Sequence, residues 1–198
     1  MSNESKDEIF MERFENFYSH LSKESERGSA IVGAALIDDA LEEILKTFMI
    51  KPLKSKDELF DSSFAPIESL SAKIALAYRL GLISPNVRTS LDLIRKIRND
   101  FAHISRQIDF GTQSIQNRIR ELFNENKELL DLLWEIAKDN PGDMIKDFGS
   151  SHGIENLVSG MDWKSTYDIL VSVISATLFA KKRDTPKIVS HHRDRKCT

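Results

Sequence analysis

Arg98, Asn99, Asp100 and His103 stand within six residues of one another in the stretch IRKIRNDFAHIS, residues 94–105. A guanidinium near an imidazole suits metal-free cleavage of a phosphodiester. His103 would act as general base or acid at a ribose hydroxyl, and Arg98 would hold the phosphate and its developing charge. The same residues also suit a structural polar knot, because Asn and Asp near a helix end often cap the backbone. Five residues separate Arg98 from His103, so on a regular helix the two side chains point about 140° apart. Convergence therefore needs a helix break or a second chain, and a two-fold dimer would bring two copies of each residue into one cleft.

Asp38 and Asp39 pose a second problem. They lie between Leu36, Ile37, Ala40 and Leu41, and neighbours on a helix are about 100° apart, so at least one carboxylate approaches the apolar face. An unpartnered buried carboxylate costs several kcal/mol, so a cation or a set of donors is expected beside it. Arg98 is the candidate cation. Asp38, Asp39, Arg98 and Asp100 thus form an expected binding or structural polar cluster, and the choice between binding and structure stays open.

The elements that must position these groups read as helices throughout. Residues 5–24 gather Ile9, Phe10, Phe14, Phe17, Tyr18 and Leu21 on one face. Residues 28–49 are apolar on nearly all sides in their first half, which marks a central helix, and Gly28 and Gly33 suit close packing. Ser55 and Glu58 have capping-box spacing before a short helical turn, and Pro66 is placed to open a helix that stops at Gly81. Ser84-Pro85 opens the next helix, which carries Val87, Leu91, Ile94, Ile97 and Phe101. Thr112 caps a further stretch, bent or broken at Asn124 to Asn126 and ended by Asn140-Pro141-Gly142. A loop follows to Gly160, and Asp162 caps a last helix with Trp163, Tyr167, Leu170, Val171, Ile174 and Leu178 inward. No stretch alternates with period two for long, so the expected fold is an all-α, single-domain helical bundle over residues 1–180.

Composition narrows the function classes. A net charge of -3 and a pI near 6.0 argue against a strongly basic nucleic-acid binder. Residues 181–198 run the other way, with seven Lys or Arg against two Asp, and read as a basic, flexible tail or an electrostatic arm for phosphates. His191, His192 and Cys197 lie in that tail, but their spacing matches no recognised metal site, so no metal and no cofactor are expected. A single cysteine, a polar acidic start and no apolar run of spanning length point to a cytoplasmic protein without a membrane partner.

Two resemblances bear on the motif. RGSAIVGAALIDDALEEIL, LFDSSFAPIESLSAKIALAYRLGLIS and LDLIRKIRNDFAH, in that order over residues 27–104, resemble the mannitol operon repressor family. That resemblance implies an all-helical bacterial transcriptional regulator without a helix-turn-helix, acting through protein contacts. Arg98, four residues, then His103, with Asn99 after the arginine, is similar to the motif of the HEPN superfamily of helical ribonucleases. That one implies a dimeric, metal-independent endoribonuclease of toxin or phage-defence type, with Arg98, Asn99 and His103 catalytic. A homodimer and a protein partner are expected, and RNA is the alternative partner. No basic recognition helix in the core supports direct sequence-specific DNA binding.

Overall fold

Burial and capping explain where the helices lie in the computed structural model, which describes residues 6–61, 64–103, 107–139 and 160–189. Seven helices follow one another among them: α1 (Lys6–Leu21), α2 (Glu26–Phe48), α3 (Leu70–Arg79), α4 (Pro85–Ala102), α5 (Gln113–Glu125), α6 (Lys127–Asp139) and α7 (Trp163–Asp184). They form an all-α, single-domain bundle with no strand among the described residues. None of these helices is long and apolar enough to cross a membrane.

The last helix is the axis. From Thr166 to Ala176 every residue of α7 is buried, and α7 lies against α1, α2, α5 and α6. Tyr167, Leu170, Val171, Ile174 and Leu178 point inward as expected, but so do Asp168, Ser172 and Ser175. Asp168 is satisfied locally: it accepts hydrogen bonds from the Ser29 hydroxyl of α2 and from Lys164 Nζ at 2.6 Å. Lys164 also donates to the Leu21 carbonyl at the end of α1, at 3.0 Å. One buried carboxylate therefore ties three helices. Burial pushes its pKa above the ordinary carboxylate range, although the bonds from Lys164 and Ser29 pull the other way.

The second long helix, α2, faces α7 with small residues. A β-carbon on Gly33 would stand 3.0 Å from Val171 Cγ1 and 3.4 Å from the Tyr167 hydroxyl, so the missing side chain is what lets α2 and α7 approach. Gly28 has no such role, because a β-carbon there would meet the side chains of Glu24 and Ser25 from its own chain entry.

Several boundaries differ from expectation, each for a local reason. Residues 57–60 make a turn rather than a helix, organised by Asp57, whose carboxylate accepts the Leu59 N–H at 2.9 Å. Pro66 does not open α3, since Ser69 caps it by accepting from Ala72 N at 3.2 Å. At its other end Gly81, with φ of 71°, closes the helix. Its N–H donates to the Tyr78 carbonyl at 3.0 Å and Leu82 N–H to that of Ala77 at 2.9 Å, the reversed pair of bonds that satisfies a helix C-terminus. Ser84 and Pro85 start α4 as their order predicts. Thr112 stands at the start of α5 but turns its hydroxyl to Asp109 instead, at 2.8 Å. Buried Asn126 divides α5 from α6, donating to Ser90 Oγ and the Leu122 carbonyl. The helix expected to end near residue 180 runs on to Asp184, closed by Thr185. The breaker at residues 140–142, the loop after it and His191, His192 and Cys197 fall outside the described residues.

Gly33→Leu should lower unfolding free energy by about 1–3 kcal/mol through overpacking against Val171. Gly33→Ala should be close to neutral, because a gain of about 1 kcal/mol in helix propensity offsets a shift of a few tenths of an ångström. Urea denaturation of the two variants checks this pair, and equal stability of Gly33→Leu and wild type would contradict the close approach.

Candidate functional site

The polar cluster assembles on the side of the bundle away from α7. Ile31, Ala34, Ala35 and Asp38 recur at helical spacing along α2 and make the floor of an open groove of about 600 Å³. Arg95, Arg98 and Asn99, spaced three and four apart on α4, make one wall. The approach to α3, from Ala65 to Ser71, makes the other. Small floor residues leave the volume, and the wall carries the charge.

Asp38 does not meet Arg98. Its Oδ2 accepts from Lys73 Nζ of α3 at 2.7 Å, and the same ammonium reaches Glu42 Oε2 at 2.6 Å. Lys73 is only 3% exposed, which makes it the buried cation that the acidic helix required. Glu42 continues the ladder to Lys46 at 2.7 Å, and Lys46 reaches Asp61 at 3.5 Å. The expected pairing of Arg98 with Asp38 or Asp39 is thus corrected: lysine at residue 73 occupies that role. Its signal is present in the sequence, because Lys73 falls on the same face as Leu70, Ile74 and Ala77 of α3.

Electrostatics agree from both ends of the ladder. Burial opposes the charge on Lys73, yet hydrogen bonds and charges from Asp38 and Glu42 outweigh it and raise the pKa. Burial likewise opposes ionisation of Glu42, and the bonds from Lys46 and Lys73 outweigh it and lower the pKa. Asp38 Oδ1 is buried and makes no hydrogen bond. Asp39 is exposed and takes no part in the ladder; partial burial and the neighbouring Asp38 raise its pKa.

The motif residues separate. Arg98 is exposed, forms no ion pair among the described residues, and donates from Nη1 to Asn99 Oδ1 at 3.3 Å. Arg95 bonds Asp92 through Nε and Nη2, at 3.2 and 3.1 Å. Asp100 turns away to α5, where it pairs with Arg118. Phe101 is buried against Phe110, with ring centroids 4.9 Å apart, and Phe110 in turn packs on Tyr167 of α7 at 5.1 Å. That aromatic relay fixes the end of α4. His103 is the residue after the helix, exposed, with extended backbone at φ -78° and ψ 103°. It does not line the groove. The structure therefore brings Asp38, Arg98 and Asn99 together with Arg95, and leaves Asp39, Asp100 and His103 outside. Arg95 and Ser69 are the groove residues that motif reading passes over; Arg95 lies one turn before Arg98 on the same face.

No family model, curated protein or solved structure matches the chain.

Lys73→Met leaves Asp38 and Glu42 without their shared cation. It should cost about 3 kcal/mol at neutral pH, the lower end for a broken buried pair because both carboxylates are partly exposed. The depressed pKa of Glu42 contributes stability above its ordinary value of 4.5, lost as pH falls through the folded value. The raised pKa of Lys73 contributes below its ordinary value of 10.5, lost as pH rises through the folded one. The difference between wild type and Lys73→Met, measured by urea titration, should therefore be flat around neutrality and shrink in acid. A difference that grows as pH drops below 4.5 would refute the ladder.

Proposed function

We propose that the chain is a regulatory or interaction protein of the mannitol-repressor type, a transcriptional regulator that works through protein contacts rather than a helix-turn-helix. The observation that carries this reading is the open groove between α2, α4 and the start of α3. It joins the apolar side chains of Ile31, Ala34 and Ala35 to the guanidinium of Arg98, which no carboxylate of the described residues takes up. Such a combination suits recognition of a protein surface, where arginine is enriched among the few residues that carry most of the energy and apolar surface beside it excludes water. The length of the resemblance, residues 27–104, covers all the elements that build the groove.

Transcript profiling of a strain lacking the gene, complemented with wild type or with Arg95→Glu/Arg98→Glu, tests it. Wild type should restore the altered transcripts and the charge-reversed protein should behave like the deletion. Full complementation by the variant would remove the groove from the function, and unchanged transcripts on deletion would remove the regulator.

A second reading, a HEPN-type endoribonuclease, is favoured by one specific observation. Arg98 is turned to solvent beside Asn99, and α4 stops before His103, which frees the histidine from the 140° separation that a continuous helix imposes. Assembly of Arg98, Asn99 and His103 would then use the corresponding residues of a second copy. RNA cleavage in excess EDTA should fall by about 100-fold or more in His103→Ala, the usual weight of a general acid or base. Absence of cleavage by wild type, or equal cleavage by both proteins, rules the enzyme out.

A further inference from the structure

The end of α2 and the segment that follows α7 meet at the far end of the bundle. Ile188 N–H donates to the Phe48 carbonyl at 2.8 Å, which satisfies one of the open carbonyls at the α2 C-terminus and holds the chain after α7 against the end of α2. Around this junction the surface is unusual in two respects at once.

The first is apolar. Ile50, Leu53, Ile188 and Val189 are exposed there, with Leu53 at 105% and Val189 at 76%. They are four of the seven large hydrophobic residues exposed among the described residues; of the others, Ile31 lines the groove, Phe64 precedes its wall residue Ala65, and Leu132 lies on α6. The second is charge. Lys51, Lys54 and Lys187 alternate with those residues along the chain, all exposed and none in an ion pair among the described residues, whereas Lys6, Lys46, Lys73, Lys164 and Lys182 all pair with carboxylates. Nearby acids are largely engaged: Glu43 with Lys182, Asp184 with Lys6, Asp61 with Lys46. Glu58 is the exposed carboxylate of the adjoining turn.

We propose that this junction is a peripheral docking surface for an anionic lipid bilayer, with Leu53, Ile50 and Val189 entering the interface and Lys51, Lys54 and Lys187 on the headgroup phosphates. Charge complementarity identifies the occupant, and side-chain type narrows it. Prongs that are aliphatic rather than aromatic suit acyl chains, whereas single-stranded nucleic acid is held by aromatic stacking. The sequence expectation of no membrane partner rested on the lack of a spanning stretch, and a surface contact needs none. Each lysine near such a surface strengthens binding by about fivefold, and salt weakens it within a Debye length.

Co-sedimentation with vesicles of phosphatidylcholine, with and without phosphatidylglycerol, tests the proposal on the full chain. Wild type should bind only the anionic vesicles. Lys51→Glu/Lys54→Glu should reduce that binding by about tenfold or more. Leu53→Asp should reduce it severalfold, while Lys96→Glu, an exposed lysine on α4, should leave it unchanged. All the substituted side chains are exposed, and unchanged thermal midpoints confirm the fold. No binding of wild type to anionic vesicles, as expected if the patch takes an acidic protein, overturns the proposal. Equal losses in Lys51→Glu/Lys54→Glu and Lys96→Glu overturn it as well, and an unaffected Leu53→Asp reduces it to unspecific charge attraction.

Discussion

A helix with no solvent face must be enclosed, and α7 is such a helix from Thr166 to Ala176. Every backbone polar group inside it is satisfied by the helix itself, so only its side chains remain to be accommodated, and α1, α2, α5 and α6 supply the enclosure. The cost of that position is the polar stripe of Asp168, Ser172 and Ser175. Asp168 meets it with Lys164 and Ser29, in a site dry enough to raise its pKa. A buried carboxylate with an adjacent ammonium adds little net stability but penalises any register in which the partners miss one another. Ser29 on α2 and the Leu21 carbonyl on α1 are aligned by it.

The groove inherits its rigidity from that axis. One face of α2 is held to α7 at Gly33, and another carries the floor residues Ile31, Ala34 and Ala35, so the floor cannot shift without the core. The wall is held through Phe101, Phe110 and Tyr167, three aromatic rings in series that connect the end of α4 to α7. Lys73 draws α3 to α2 from the remaining side. Arg98 is thus an exposed side chain on a fixed base, the arrangement that lets one residue engage a ligand without rearranging its helix.

Much of this was legible in the sequence because it follows from local rules. Helical periodicity named the all-α class, Ser84-Pro85 and Asp162 marked two helix starts, and Asn126 marked a division. Start signals failed where two residues competed for one role: Ser69 outranks Pro66 because its hydroxyl satisfies a helix N–H that proline leaves open. The buried face of α7 was half legible, since Asp168, Ser172 and Ser175 fall at helical spacing and imitate a solvent stripe. The cation for Asp38 is hard to read from the sequence because Lys73 stands inside an apolar stripe, where a lysine is costly unless paired, whereas Arg98 stands in an overtly charged motif. The groove itself is a tertiary product of three helices, and spacing along one of them reveals only its wall.

Among the described helices, the axis of the bundle is also the last to be synthesised. On the ribosome, α1, α2, α5 and α6 emerge before the partner they enclose, which begins only at Trp163. The contacts between α1 and α7 and between α2 and α7 join residues more than a hundred positions apart, a long loop closure for an all-helical protein. Until α7 arrives, α2, α3, α4 and α5 can pack on one another, but the faces of α1 and α2 that α7 covers stay open, a state exposed to aggregation and to chaperones. Enclosure of α7 is thus the late step, joining helices made first to one made well after them.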